Sequence, residues 1–140
     1  EMVEDKKKES KIFFTLDTFK YIIAGGRVPK AFGKVGELLN IKPIVVCDPL
    51  DGKYHIVKTC RGEKKVIKEM EKLASEYLGK LDKYYMIISN AGYKKGSEIL
   101  EDKLKEFKDK STLFLTSQIA PSLGANTGPG LFGFGFLPID

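Results

Sequence analysis

Residues 122–136, SLGANTGPGLFGFGF, set the side-chain amide of Asn126 and the hydroxyl of Thr127 beside Gly128 and Gly130, and follow them with Gly133 and Gly135 among three phenylalanines. Uncovered backbone N–H groups together with an Asn and a Thr can hydrogen-bond a carboxylate or a phosphate without a clash. The segment lacks both the lysine of a G-x-x-x-x-G-K-[ST] loop and the spacing of a dinucleotide fingerprint, which disfavours nucleotide binding by either route. In the strand that follows, a side-chain period of two puts Phe132, Phe134 and Phe136 on one face and Leu131, Gly133, Gly135 and Leu137 on the other. Glycine weakens a strand unless something approaches closely. Two readings of the bare face stand: a helix packs tightly on it while the phenylalanines fill the core, or it floors an apolar channel for a ligand chain.

Arg27 and Arg61, the only arginines among 24 basic residues, each sit next to glycine in GGRVP and TCRG. Planar guanidinium groups make paired bonds to carboxylate or phosphate where lysine acts as a point charge, so two arginines read as loop positions point either to an anion or to a nearby carbonyl. The only histidine, His55, has no serine, threonine or cysteine close to it in sequence, and Asp17, Asp48 and Asp51 suit a helix cap and a turn. Hence no catalytic constellation emerges. Cys47 and Cys60 have neither redox nor zinc spacing, so no metal site and no cofactor are expected.

The elements that must position these groups follow from pattern. Residues 11–16, KIFFTL, read as a strand, and residues 17–40 as two short helices joined by GGRVP, with Pro29 at the first turn of the second. Residues 43–62 read as a hairpin turning at Asp51-Gly52, which places Cys47 near Tyr54 and away from Cys60. Apolar residues at helical spacing predict an amphipathic helix over 63–81 and a second over 97–108 with Ile99, Leu100, Leu104 and Phe107 inward. Strands are predicted over 84–89, 111–119 and 131–137. This order is an α/β domain, a layered mixed sheet with a hairpin and packed helices.

A chain of 140 residues with 42% hydrophobic content has the size of one domain with a real core. The +5 charge comes from lysines interspersed with glutamates, a solvated-face pattern that argues against nucleic-acid binding. The apolar runs are too short to span a bilayer, and the default expectation is a cytoplasmic protein. EMVEDKKKES at the start suits a domain boundary inside something longer.

Taken together, LDTFKYIIAGGRVPK, LLNIKPIVV, DGKYHIVKTCRG and GANTGPG followed by a glycine-punctuated strand are similar to the DegV family, bacterial fatty-acid-binding proteins that include the acyl-carrying subunits of fatty acid kinase. The resemblance covers nearly the whole chain. It implies that residues 1–140 form the C-terminal lobe of a two-lobed protein, with residues 1–10 as the charged connection from an N-terminal lobe that supplies a Ser and a Thr to the carboxylate. The implied function is to hold a long-chain fatty acid and present its carboxylate to a partner kinase, with membrane contact transient at most and no chemistry performed by this chain. Asn126, Thr127, Gly128 and Gly130 would meet the head group, Gly133 and Gly135 would leave room for the acyl chain, and Arg27 and Arg61 would face the kinase or an acyl phosphate. The family loop usually reads H-T-G-P-G, so Asn126 replaces a histidine and cannot supply a cationic contact. Asn90 departs likewise from a histidine of many relatives, and no role is carried over to it. The alternative is a phosphotransferase related to dihydroxyacetone kinase, against which the missing histidine argues.

Overall fold

The computed structural model describes residues 8–16, 41–47, 53–118 and 130–139. In chain order the strands are β1 (Lys11–Thr15), β2 (Ile41–Cys47), β3 (Tyr54–Arg61), β4 (Tyr84–Asn90), β5 (Leu113–Gln118) and β6 (Phe132–Pro138). The helices are α1 (Glu63–Leu78), between β3 and β4, and then α2 (Lys94–Lys103) and α3 (Lys105–Lys110), between β4 and β5. The strands form one mixed sheet in the order β3-β2-β1-β6-β4-β5, antiparallel except for the parallel pair β4 and β5. Parallel neighbours need a crossover, and α2 with α3 supply it.

The alternation read in β6 is realised. Phe132, Phe134 and Phe136 are buried with Phe13, Ile44, Met86 and Ile88 of the neighbouring strands, under Val66, Met70, Ala74 and Leu78 of α1, Leu100 of α2 and Phe107 of α3. All described helices therefore cover the phenylalanine face. The Tyr84 hydroxyl donates to the Phe107 carbonyl at 2.6 Å, tying the start of β4 to α3, and burial pushes that phenol above its ordinary value. At Glu69, α1 is tied to the edge strand β3: the carboxylate lies 3.1 Å from Lys58 Nζ and 3.4 Å from Lys72 Nζ.

Several boundaries differ from expectation. The helix predicted to residue 81 stops at Leu78, where a Gly79-Lys80 turn follows, and Leu81 packs against the core from beyond it. The second helix starts at Lys94 rather than residue 97 and breaks at Leu104 (φ −98°, ψ 16°) into α2 and α3. Leu100, Leu104 and Phe107 point inward as read, but Ile99 is 36% exposed. The hairpin register is the expected one, with Cys47 opposite Tyr54 and Cys60 opposite Lys42, and neither cysteine is in a disulfide. The predicted helix pair, Asp17, Arg27, the hairpin turn with Asp48 and Asp51, and the loop with Asn126, Thr127 and Gly128 lie outside the described residues.

Candidate functional site

The glycine face of β6 is built differently. Successive rows across the sheet run Val45, Phe14, Gly133, Ser89, Ser117 and then Cys47, Ile12, Gly135, Ile87, Leu115. A third row, Leu137, Tyr85 and Leu113, continues the apolar surface. The buried residues here, Phe14, Leu16, Val45, Tyr54 and Leu131, come from strands and strand ends rather than from the described helices. A pocket of about 270 Å³ opens over this surface, lined by Ile12, Phe14, Cys47, Tyr54, Ile87, Ser89 and Leu131, with Gly133 and Gly135 as its floor. Phe14 and Tyr54 meet edge to face at 83° with centroids 5.4 Å apart and wall one side.

The two floor glycines are bare for different reasons. A Cβ on Gly133 would collide with the Phe13 carbonyl oxygen and lie 2.6 Å from Phe14 Cα, so here β1 itself is the element that approaches. A Cβ on Gly135 would meet Ile12 Cγ1 at 3.2 Å and Ile87 Cγ2 and the Lys11 carbonyl oxygen at 3.3 Å each, so the bare residue lets those two side chains close in beside β6. Gly135 thus admits neighbouring side chains at the pocket floor, whereas Gly133 admits the β1 backbone. Of the two readings of the bare face, helix packing against it is not what the described residues show. The glycine that brings a helix close is Gly96 of α2, whose Cβ would lie 2.6 Å from the Phe132 ring on the opposite face.

Gly130 enters this strand with φ +90°, a left-handed conformation that favours glycine, and delivers Leu131, whose carbonyl accepts from the Ala91 N–H at 2.9 Å. That bond holds Leu131 beside the carboxyl end of β4. Arg61 is not in a loop: it is the exposed last residue of β3, opposite Ile41, three strands away from β6 in the sheet order. The described residues therefore bring Gly133 and Gly135 together in the pocket, set Gly130 just before their strand and leave Arg61 apart. Asn90 bonds locally, its Nδ2 donating to Ser97 Oγ at 3.2 Å and its Oδ1 accepting from the Gly92 N–H at 3.0 Å. His55 is exposed on β3, opposite Val46.

Ile12, Cys47, Tyr54, Ile87 and Ser89 were not among the residues singled out by sequence. A serine ending the apolar run YYMIIS was the one available signal. Among the described residues no group of three or more His, Cys, Asp or Glu could hold a metal, and no helix is long and apolar enough to cross a membrane. A larger depression of about 700 Å³ lies between α1 and α2, but lysines and glutamates rim it. The pocket over the glycines has the concave apolar lining suited to an aliphatic chain.

Comparison with known proteins places this arrangement. A family model described as "Uncharacterised protein, DegV family" matches residues 1–138. Two DegV domain-containing proteins of Clostridium acetobutylicum are each 32% identical to the chain, over 94% and 95% of its length and 46% of their own. The fatty acid binding DegV family protein of Streptococcus agalactiae superposes with a TM-score of 0.86 at 21% identity, covering 99% of this chain and 48% of that one. A DegV lipid binding protein of Thermotoga maritima superposes at 0.76 with 25% identity, covering 99% and 46%. The chain spans about half the length of the relatives it matches, and it belongs to the DegV family.

Proposed function

We propose that this chain is the C-terminal lobe of a fatty-acid-binding protein and that its glycine-floored pocket holds the acyl chain of a long-chain fatty acid. The observation that carries the reading is the apolar pocket of about 270 Å³ over the glycine face of β6, lined by Ile12, Phe14, Tyr54 and Ile87 in a six-stranded sheet. Each methylene buried there contributes about 0.8 kcal/mol, so the tail dominates affinity. The polar loop sets orientation: Asn126, Thr127, Gly128 and Gly130 meet the carboxylate, with further hydroxyls from an N-terminal lobe of the same protein. The ligand's carboxylate is presented to a partner kinase, Arg27 faces that partner or the acyl phosphate, Arg61 on the edge strand β3 faces the partner alone, and this chain performs no chemistry itself. The protein acts in the cytoplasm.

The test is native mass spectrometry with lipid extraction on the full-length protein, comparing the natural sequence with Asn126→His and Asn126→Ala. Release of a long-chain acid, held less well by Asn126→Ala and better by Asn126→His, is expected, because an imidazolium adds a charge-assisted contact. Absence of lipid from every form overturns the reading.

A further inference from the structure

We propose that the hydroxyl pair Ser89–Ser117 forms the head-group end of this pocket and donates to a carboxylate oxygen of a single-chain acid; the proposal rests on the fatty-acid reading above. Strands β4 and β5 change character together. Tyr85 faces Leu113 and Ile87 faces Leu115, all apolar, and one step further Ser89 faces Ser117. Leu113 and Leu115 are 46% and 53% exposed, so apolar side chains are kept on this open face up to the serine row. The change to hydroxyls at one register is therefore a local chemical boundary, not the general polarity of an exposed surface.

Gly133 lies directly opposite Ser89 in β6 and has no side chain to cover the hydroxyl, which lines the pocket. The two Oγ atoms are 2.9 Å apart. One proton is shared within the pair, and the other remains for a ligand oxygen, oriented by the first. The next residue, Asn90, projects to the opposite face and bonds to Ser97 and Gly92. From β4 across β6, β1 and β2 to Tyr54 on β3 is four strand spacings, about 19 Å, the reach of a long extended acyl chain. Leu131 lines the pocket with Ser89, and its carbonyl accepts from the N–H of Ala91, two residues beyond that serine.

The experiment is competition native mass spectrometry on the full-length protein with hexadecanoic acid against its methyl ester, for the natural sequence, Ser89→Ala, Ser117→Ala, Ser89→Thr and Lys110→Gln. Ser89→Ala is expected to reduce the preference for the acid about tenfold, the loss of one hydrogen bond to a charged acceptor. Ser117→Ala, at an exposed position that disturbs no packing, reduces it less by removing the orienting partner. Ser89→Thr retains the preference, and Lys110→Gln, at an exposed residue of α3 on the other side of the sheet, leaves it unchanged. An acid-to-ester ratio unaltered by both alanine variants, with the natural protein still retaining acid, overturns this proposal and leaves the fatty-acid reading standing. Retention of neither ligand by the natural protein overturns that reading and this proposal with it.

Discussion

Gly135→Val tests the pocket most directly, because carbon added at its floor between Ile12 and Ile87 would displace the proposed ligand. The first added atom already sits 3.2 and 3.3 Å from those two side chains, so the valine methyls have to project along the cleft into the pocket. Three carbons displace about three methylene contacts at about 0.8 kcal/mol each, a loss of about 2.4 kcal/mol or about 50-fold in affinity. Gly135→Ala, with one carbon, gives about 0.8 kcal/mol, about fourfold. Calorimetric titration of delipidated full-length protein with hexadecanoic acid reads both values, and urea unfolding of the same samples reports on the fold. A β-branched residue suits a strand, but Ile12, Ile87 and the Lys11 carbonyl must give by a few tenths of an ångström, so affinity is compared only for variants that remain folded in urea unfolding. Unchanged affinity in a folded Gly135→Val protein would refute the claim that the acyl chain crosses β6 at this residue.

Two further substitutions separate architecture from binding. Gly133→Ala drives a Cβ into the Phe13 carbonyl oxygen and to 2.6 Å from Phe14 Cα, backbone that cannot yield without moving β1, so a destabilisation of about 3 kcal/mol in urea unfolding is expected; an unshifted midpoint would contradict the close approach. At Glu69, the hydrogen bond from Lys58 holds the carboxyl below its ordinary value of 4.5. The stability it contributes is present above that pH and lost as pH falls through the lowered value in the folded protein. The difference between natural sequence and Glu69→Gln, followed by urea unfolding from pH 7 downward, should shrink on acidification; a difference independent of pH would mean that the Lys58 pair contributes nothing.

What could be read from sequence was what depends on local period. Alternation in residues 131–137 assigned the faces of β6, and the Asp51-Gly52 turn placed Cys47 opposite Tyr54. What could not be read depends on strands distant in sequence. Gly133 is required by Phe13 and Phe14, more than a hundred positions earlier, and the pocket walls come from β1, β2, β3 and β4, whose order across the sheet no local signal encodes. Helix period misplaced Ile99 because the α2 face that packs is set by Gly96 against Phe132 and by the break at Leu104. Arg61 looked like a loop residue because glycine follows it, yet β2 extends far enough to pair it with Ile41.

The position of β6 explains how an open glycine face is tolerated in the middle of the sheet. Glycine in a strand interior costs about 0.5 to 1 kcal/mol relative to alanine, and Gly133 and Gly135 fall within one strand. Burying a single phenylalanine contributes about 1.5 to 3 kcal/mol, and β6 buries three on its other face. Its backbone is also paired on both sides, with β1 and with β4. The phenylalanine face can therefore hold the strand in place while the glycine face is left open to a ligand. Substitutions at Phe132, Phe134 and Phe136 should then appear first as lost stability, and those at Gly135 and Ser89 first as lost binding, although all lie within one strand and its neighbour.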